Sequence, residues 1–256
     1  MSALDTSGKC GVALASRPRP TGPWVITQTW RNLLFAHWPV PPDLLRPLVP
    51  GGLELDTFDG EAWVAVVPFR LTNIRMRPFP EVPFTDQFLE LNVRTYVVGD
   101  GKPGVFFLSM EADNRWAIAL ARSLYYLPYL YSRISFNMKG DTVYFRHRRM
   151  EREAREAEFV AAYSPTSETF TTDPGTLEYW LTERYCCFGV NESNAICRAD
   201  IYHLPWRLQK AQADIRVNTA ALSHGIELPA KEPLLHYSRY VKAFIWPIKW
   251  LPTRSR

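Results

Sequence analysis

The stretch FLELNVRTYVVGDGKPGVFFLSMEADN, residues 88–114, has the pattern of two β-strands joined by a tight turn. Apolar residues occupy Leu89, Leu91, Val93 and Val97, whereas larger or polar side chains occupy the even positions between them. This alternation has the period of a half-buried strand, and the glycine-rich GDGKPG is typical of a hairpin turn. The segment predicts an antiparallel hairpin with one core face and one polar face.

The polar face of this hairpin is the main candidate for a functional site. A symmetric turn places Arg94 opposite Ser109, Asn92 opposite Glu111 and Tyr96 opposite Phe107. Cross-strand partners lie about 5 Å apart, so the glutamates would surround an arginine. An arginine beside carboxylates suits a small anionic or carbonyl ligand, and a desolvated glutamate can serve as a general acid or base. The alternative is a solvated strand face with no function.

The remaining patterns predict one domain, residues 23–256, after a flexible tail, residues 1–22. Within residues 61–71, apolar side chains occupy both the odd and the even positions, which indicates a central strand covered on both faces. Asp43 is predicted to cap a short helix. A second helix over 113–128 would be capped by Asp113 or Asn114, and its apolar stripe comprises Trp116, Leu120, Leu124 and Leu127. The fold class is therefore α+β, predominantly antiparallel β, with a few short helices.

Composition narrows the class of partner. The 256 residues are 46% hydrophobic with a net charge of +4, which suits a sizeable core and falls far short of a nucleic-acid footprint. The chain has no apolar run of the roughly 18 residues that span a bilayer. Four cysteines without a CxxC pair or a signal peptide predict a reduced, cytoplasmic protein. The expected partner is a small molecule, not nucleic acid or membrane, and a homo-oligomer is compatible with the sequence.

Motifs for metals and cofactors are missing from the sequence. The five histidines show no HxH or HxxxH spacing, and GxxxxGK[ST], GxGxxG and GxSxG do not occur. The sequence therefore predicts no metal and no cofactor. Of the seven lysines only Lys242 lies inside a strong strand pattern, where a charge on a strand face is the simplest role. Amine catalysis receives little support.

Several motifs together resemble a known family. They are QTWRNLLFAHWPVPPDLLRPLVPGGLELDTFDGEAWVAVVPF, ELNVRTYV, GVFFLSMEA, TERYC and LLHYSR. They resemble the bacterial YqjF-like family, also called domain of unknown function 2071, over about residues 24–248. That family is similar to acetoacetate decarboxylase. The resemblance implies a curved, barrel-like antiparallel double sheet around a central pocket.

The resemblance also implies roles for individual residues. In acetoacetate decarboxylase a pocket lysine forms a Schiff base with a β-keto acid, and the segment LPYLYSRI would stand at that position. Tyr129 would replace the lysine and Leu130 its neighbour. Glu90 would match the pocket glutamate, and His37 falls near the arginine position. The resemblance therefore argues against decarboxylation through an imine.

These arguments predict a specific set of site residues. Glu90 and Tyr129 are the candidate catalytic residues, and the candidate ligand-binding residues are His37, Asn92, Arg94, Tyr96, Glu111 and Tyr126. The predicted function is a pocket that binds an organic acid or carbonyl compound, with or without lysine-independent, lyase-like acid/base chemistry. Two alternatives are a non-catalytic sensor or carrier and a structural or oligomer-forming protein whose polar hairpin face is exposed.

Overall fold

Twelve strands and three short helices make up the part of the chain that the computed structural model describes, residues 19–79 and 87–252. Of the predicted tail, residues 1–18 lie outside that part. The strands are β1 (Ile26–Val40), β2 (Glu54–Leu55), β3 (Ala62–Met76), β4 (Gln87–Gly99), β5 (Lys102–Ala112), β6 (Tyr129–Lys139), β7 (Thr142–Arg149), β8 (Glu158–Pro165), β9 (Cys186–Val190), β10 (Ile196–His203), β11 (Gln209–Asn218) and β12 (Leu234–Trp250). The helices are α1 (Pro42–Leu45), α2 (Arg115–Tyr125) and α3 (Leu177–Thr182), with single 3-10 turns at Arg46–Leu48 and Leu222–His224.

The strands close into two rings that share a wall. One ring runs β4, β5, β9, β10, β12, β1, β3 and back to β4. The second ring leaves β5 through β6, β7, β8 and β11, rejoins at β12 and closes through β1, β3 and β4. The first is called the smaller ring and the second the larger ring. The shared wall consists of the strands common to both, namely β1, β3, β4, β5 and β12. All pairs are antiparallel except β5 with β6 and β5 with β9. The predicted fold class, predominantly antiparallel β with few helices, is confirmed, although the rings do not form one even barrel.

The shared wall explains why some strands are apolar on both faces. In β3, Val64 and Val66 pack into the core of the larger ring, whereas Ala65, Val67 and Phe69 face the smaller ring. A strand that separates two interiors has no solvent face, so both alternations must be apolar. The predicted central, doubly covered strand is confirmed.

The predicted register of the hairpin is wrong for two reasons: the turn is shorter than expected, and a β-bulge follows it. The turn is formed by Asp100 and Gly101, both with positive φ, and it pairs Arg94 with Phe107. Leu108 is then left without a partner, because the next pair is Val93 with Ser109. Beyond such a bulge the side chains on one strand change face relative to the other.

The bulge separates the two glutamates of the hairpin. Glu111 lies opposite Leu91 and so faces the larger ring, whereas Glu90 lies opposite Ala112 and faces the smaller ring. The predicted pairs of Asn92 with Glu111, Arg94 with Ser109 and Tyr96 with Phe107 are not formed, and Tyr96 lies opposite Val105 instead. Without the extra residue Leu108, the turn register would bring Glu90 and Glu111 to the same face.

Helix capping agrees with the prediction at one helix and differs at the other. Asn114 caps α2, since its side chain accepts hydrogen bonds from the backbone N–H groups of Trp116 and Ala117. In α1 the N-cap is Pro41 and Asp43 lies within the first turn, so the predicted Asp43 cap is wrong. The proline supplies a fixed φ that suits a helix start without a side-chain cap. No helix in the described ranges is long and apolar enough to cross a membrane.

Gly189 in β9 provides a test of how tightly α2 packs on the smaller ring. A Cβ there would lie 2.5 Å from the carbonyl oxygen of Tyr125 and 3.0 Å from that of Tyr126, both backbone atoms at the end of α2. Because backbone cannot move as a side chain does, we expect Gly189→Ala to destabilise the protein by about 1–3 kcal/mol. Thermal denaturation would show a melting temperature several degrees below wild type.

Gly51→Ala is the matched control for this substitution, since a Cβ at Gly51 meets nothing within 4 Å. We expect its melting temperature to equal that of the wild-type protein. Equal melting temperatures for Gly189→Ala and Gly51→Ala would contradict the close approach of α2 to β9.

Candidate functional site

A cavity of about 170 Å³ lies inside the smaller ring. A single water molecule takes up about 10–15 Å³ of such a cavity, so this cavity has room for a small organic molecule. Its walls come from strands of that ring, together with α2 and the start of β6. Most of the lining side chains are apolar, and the polar ones cluster on β4 and around it. Such a site is typical of small-molecule pockets.

Strand β4 supplies three polar side chains to this cavity. Glu90, Asn92 and Arg94 are alternate residues, so they point to the same face and all line the cavity. Glu90 is only 1% exposed and Asn92 is buried. The predicted polar face of the hairpin is thus an internal wall and not a solvated surface.

Tyr129 joins this wall from the start of β6. It pairs with Met110 of β5, which itself lies opposite Asn92. The Tyr129 hydroxyl donates a hydrogen bond to Glu90 Oε2 over 2.8 Å, and both side chains are buried. The two residues predicted to be catalytic are therefore in direct contact.

The Glu90 carboxyl is held in its protonated form near neutral pH. Burial raises its pKa to about 8, while hydrogen bonds from Tyr129 and Asn92 act in the opposite direction. Burial, and then the neighbouring Glu90, raise the pKa of Tyr129 well above its usual value. Burial prevails because no cation pairs with Glu90 among the described residues. The pair therefore presents a neutral acid to the cavity.

Two arginines carry positive charge at the cavity. Arg94 forms no ion pair with any described residue, its Nε has no hydrogen-bond partner there, and its guanidinium carbon lies 5.3 Å from the Phe35 ring centre. Arg184 donates to Asp56 over 2.6 Å and to the Trp180 carbonyl, but its Nη2 has no partner among the described residues. Burial lowers the pKa of Arg184, although Asp56 opposes that shift.

Four buried polar atoms on cavity-lining residues lack hydrogen bonds within the described ranges. They are Trp30 Nε1, Asn92 Oδ1, Arg94 Nε and Arg184 Nη2. Buried polar groups are nearly always satisfied in native structures, so each such group calls for an explanation. Three donors and one acceptor around a single cavity are consistent with a polar ligand.

His37 and Tyr96 lie beside this wall and do not line the cavity, Tyr96 being the next residue after Arg94 on the same face of β4. Their side chains are buried and hydrogen bonded to each other, with His37 Nε2 and Tyr96 Oη 2.8 Å apart. Burial and then Arg94 lower the pKa of His37 well below its usual value, so the imidazole is neutral. The Tyr96 ring centre lies 5.8 Å from the Arg94 guanidinium carbon, so the pair can hold Arg94 in place.

Glu111 and Tyr126 lie away from the cavity. Glu111 accepts hydrogen bonds from Ser132 and Arg149 on the larger-ring side, with His147 also in contact. Burial raises the pKa of Glu111, but the bonds from His147 and Arg149 prevail and lower it to about 2. Tyr126 adopts the left-handed C-cap of α2 and its ring packs 5.2 Å from that of Trp250.

The structure thus divides the eight predicted site residues. It brings Glu90, Asn92, Arg94 and Tyr129 to one cavity, places His37 and Tyr96 beside Arg94 but outside the cavity lining, and leaves Glu111 and Tyr126 elsewhere. Trp30, Arg184 and His203 line the same cavity and were not predicted. The one sequence signal for Arg184 is its place in TERYC, a charged pair directly before a buried apolar run.

Lysine and metal chemistry have little basis in the described part of the cavity. No described lysine lines it, and Lys242 is exposed on β12. No group of three or more described metal-ligating side chains could hold an ion. Among the described residues, the groups of the cavity that can bind an anion or move a proton include Glu90, Tyr129, the two arginines and His203, together with the thiol of Cys187, whose pKa burial raises.

Comparison with known proteins places the chain in a family. Residues 27–242 match the model of DUF2071, described as an uncharacterized conserved protein. The chain belongs to this family. It is 47% identical over 232 residues to the uncharacterized protein YqjF of Bacillus subtilis (strain 168), an alignment that covers 90% of this chain and 95% of YqjF.

Solved structures extend the likeness of this DUF2071 protein to a wider fold. The enduracididine biosynthesis enzyme MppR, complexed with the condensation product of pyruvate and imidazole 4-carboxaldehyde, superposes with a TM-score of 0.64 at 14% identity, covering 91% of this chain and 92% of MppR. Acetoacetate decarboxylase from Legionella pneumophila superposes with a TM-score of 0.59 at 16% identity, covering 98% of both chains. The expected acetoacetate-decarboxylase-like fold is confirmed. The match of Tyr129 to a Schiff-base lysine remains a prediction.

The raised pKa of Glu90 should make the folding stability depend on pH. Its pKa is about 8 in the folded protein and near 4.5 when exposed, so between these values the folded state holds a proton that the unfolded state has released. Stability contributed by this proton is therefore present below about pH 4.5 and lost as the pH rises towards 8. We expect the loss to be on the order of 4–5 kcal/mol.

Urea denaturation at several pH values would measure this effect, with Glu90→Gln as the test variant. Glutamine cannot release a proton, so the decline between pH 4.5 and 8 should become shallower. Glu192→Gln, at an exposed position, is the matched control and should keep the wild-type profile. Parallel profiles for wild type and Glu90→Gln would show that Glu90 is not protonated in the folded state.

Proposed function

We propose that this protein binds a small organic acid that also carries a carbonyl group, with the carboxylate on Arg94 and the carbonyl beside Glu90 and Tyr129. The observation that carries this proposal is a cavity that holds protonated Glu90 together with Arg94, which forms no ion pair with any residue that the structure describes. A guanidinium binds carboxylates through charge-assisted hydrogen bonds. A protonated carboxyl can donate to a carbonyl oxygen, which a carboxylate cannot do.

The unsatisfied donors support the position of the acid group. Arg94 Nε, Arg184 Nη2 and Trp30 Nε1 would all find acceptors in a bound carboxylate, and Asn92 Oδ1 could accept from a hydroxyl or hydrated carbonyl. Arg184 already shares its charge with Asp56, whereas Arg94 has no described counter-ion. Arg94 is therefore the main anchor. The likeness to MppR, which was solved with a pyruvate condensation product, agrees with this class of ligand.

The proposed chemistry is acid/base, lyase-like and independent of lysine. Enolisation of a keto acid requires a proton given to the carbonyl oxygen and a proton taken from the adjacent carbon. The Glu90 carboxyl can do both, because one oxygen bears a proton while the other is basic. Tyr129 holds Oε2 through its hydrogen bond and so orients the group. The expected location is the cytoplasm, and the expected partner is this small molecule.

Binding is tested with pyruvate as the probe in a thermal-shift titration. A ligand present at about 100 times its dissociation constant stabilises the folded state by about 2.7 kcal/mol, which corresponds to several degrees. We expect this rise for wild type and none for Arg94→Gln. Arg133→Gln, at an exposed position on β6, is the matched control and should respond as wild type does. An undiminished response of Arg94→Gln would contradict the anchor, and a lysine adduct after borohydride reduction would contradict lysine-independent chemistry.

Catalysis is distinguished from mere binding by hydrogen exchange into the pyruvate methyl group in deuterium oxide, followed by proton magnetic resonance. We expect the wild-type protein to accelerate exchange by at least tenfold over buffer, because Glu90 assists enolisation. Glu90→Gln should still bind pyruvate, since the amide can donate to the carbonyl, but its exchange should fall to the buffer rate. Binding without exchange in the wild-type protein would favour the sensor or carrier alternative and contradict the acid/base role.

A further inference from the structure

The two ends of the cavity differ in character. One end is polar and is formed by four buried side chains, those of Arg184, Thr182, His203 and Trp206. At the other end, half-buried residues from strand ends line the cavity, and all but Gln28 are apolar: Ile26, Ile74, Met76, Phe88 and Ile245. The strand pairing brings these ends together, because Ile26 lies opposite both Met76 and Ile245.

Helix α2 completes this apolar end. Ala117, Leu120, Ala121 and Leu124 line the cavity at helical spacing, so one face of α2 looks into it. Leu120 and Leu124 nevertheless remain 45% and 44% exposed, and Trp116 on the same stripe is 81% exposed. The apolar stripe predicted from the sequence is therefore not buried by the described protein, and it continues the cavity wall to the surface.

The cavity is also long. Phe88, Glu90, Asn92 and Arg94 all line it, and alternate residues of a strand are about 6.7 Å apart. The wall therefore extends about 20 Å from Phe88, at the apolar mouth, to Arg94. A short keto acid would occupy only the part of the wall between Arg94 and Glu90 and leave Phe88, Leu120 and Leu124 without a partner.

We propose that the natural ligand is amphiphilic: a carboxylate and carbonyl at Arg94 and Glu90, followed by a large alkyl or aromatic tail that passes Phe88 and packs against Leu120 and Leu124. The inference rests on the proposed function and narrows its ligand to acids with an apolar substituent. The tail removes from water the side chains that the fold leaves half exposed at the mouth. Pyruvate alone would occupy only the polar end.

A series of saturated acids tests the tail directly. Acetate, octanoate, dodecanoate and hexadecanoate share one carboxylate and differ only in chain length, and the longest matches the wall of about 20 Å, so dissociation constants from calorimetry isolate the apolar contribution. We expect affinity to rise about three- to fourfold per methylene, the value for full burial of that group. Phenylpyruvate should likewise bind at least tenfold more tightly than pyruvate.

Substitutions at the mouth locate the tail. Leu120→Ser should reduce the gain per methylene for the longer acids, because it replaces an apolar side chain of the cavity lining by a polar one. Leu44→Ser on α1 is the matched control, since Leu44 is also 45% exposed but does not line the cavity. Its chain-length series should equal that of wild type. The melting temperatures of both variants, without ligand, verify that each is folded.

The outcomes separate this inference from the proposed function. Equal affinity for acetate and octanoate would contradict the inference that the ligand has an apolar tail, but it would not contradict the carboxylate site at Arg94. Failure of every acid to bind would overturn the proposed function and the inference with it. A full chain-length gain in Leu120→Ser would place the tail elsewhere and overturn the assignment to α2. Octanoate binding that survives Arg94→Gln unchanged would show tail binding without the carboxylate anchor and overturn the proposed orientation.

Discussion

The structure depends on one constraint: strand β4, like β1 and β3 of the same shared wall, must face two interiors at once. Leu91 and Val93 pack into the larger ring, while Glu90, Asn92 and Arg94 form the wall of the smaller one. Neither face can rely on solvent to satisfy polar groups, so every charge on β4 needs a partner, a neutral form or a ligand. The neutral form of Glu90, its bond to Tyr129 and the lack of an ion pair at Arg94 within the described ranges all follow from this position. The candidate site is therefore a consequence of the shared wall.

The same hairpin shows that burial alone does not decide the charge of a carboxyl group. Glu90 and Glu111 are almost fully buried, and desolvation raises the pKa of both. At Glu111, Arg149 and His147 outweigh desolvation, so this glutamate is an anion within a buried hydrogen-bond network. At Glu90 the neighbours are the neutral Tyr129 and Asn92, so desolvation prevails and the group keeps its proton. The bulge at Leu108 assigns one carboxyl to each interior and thereby gives the two groups opposite protonation.

The cavity combines features that reduce stability without a ligand. Buried polar atoms that make no hydrogen bond each cost free energy, and half-exposed leucines on α2 lose the gain that full burial would provide. Proteins retain such features mainly where they bind or react. A carboxylate with an apolar tail would satisfy both at once, since its head accepts from the arginines and its tail covers the mouth. This agreement between the two ends is the physical basis for treating them as one site.

The sequence by itself determined much of the architecture. Alternation over residues 88–112 specified the hairpin, the doubly apolar run at 61–71 specified the shared wall, and the motifs indicated the family and its fold. It also placed Glu90, Asn92 and Arg94 on one face, because period-two geometry is local. Only the tertiary structure decided the rest. One extra residue at Leu108 moved Glu111 to the other interior, and a contact 39 residues apart in sequence joined Tyr129 to Glu90. Arg184 lines the cavity from the segment between α3 and β9, and the apolar stripe on α2 lines the mouth of the cavity instead of lying in the core. Register slips and long-range contacts depend on how the rings close, and no local pattern records that closure.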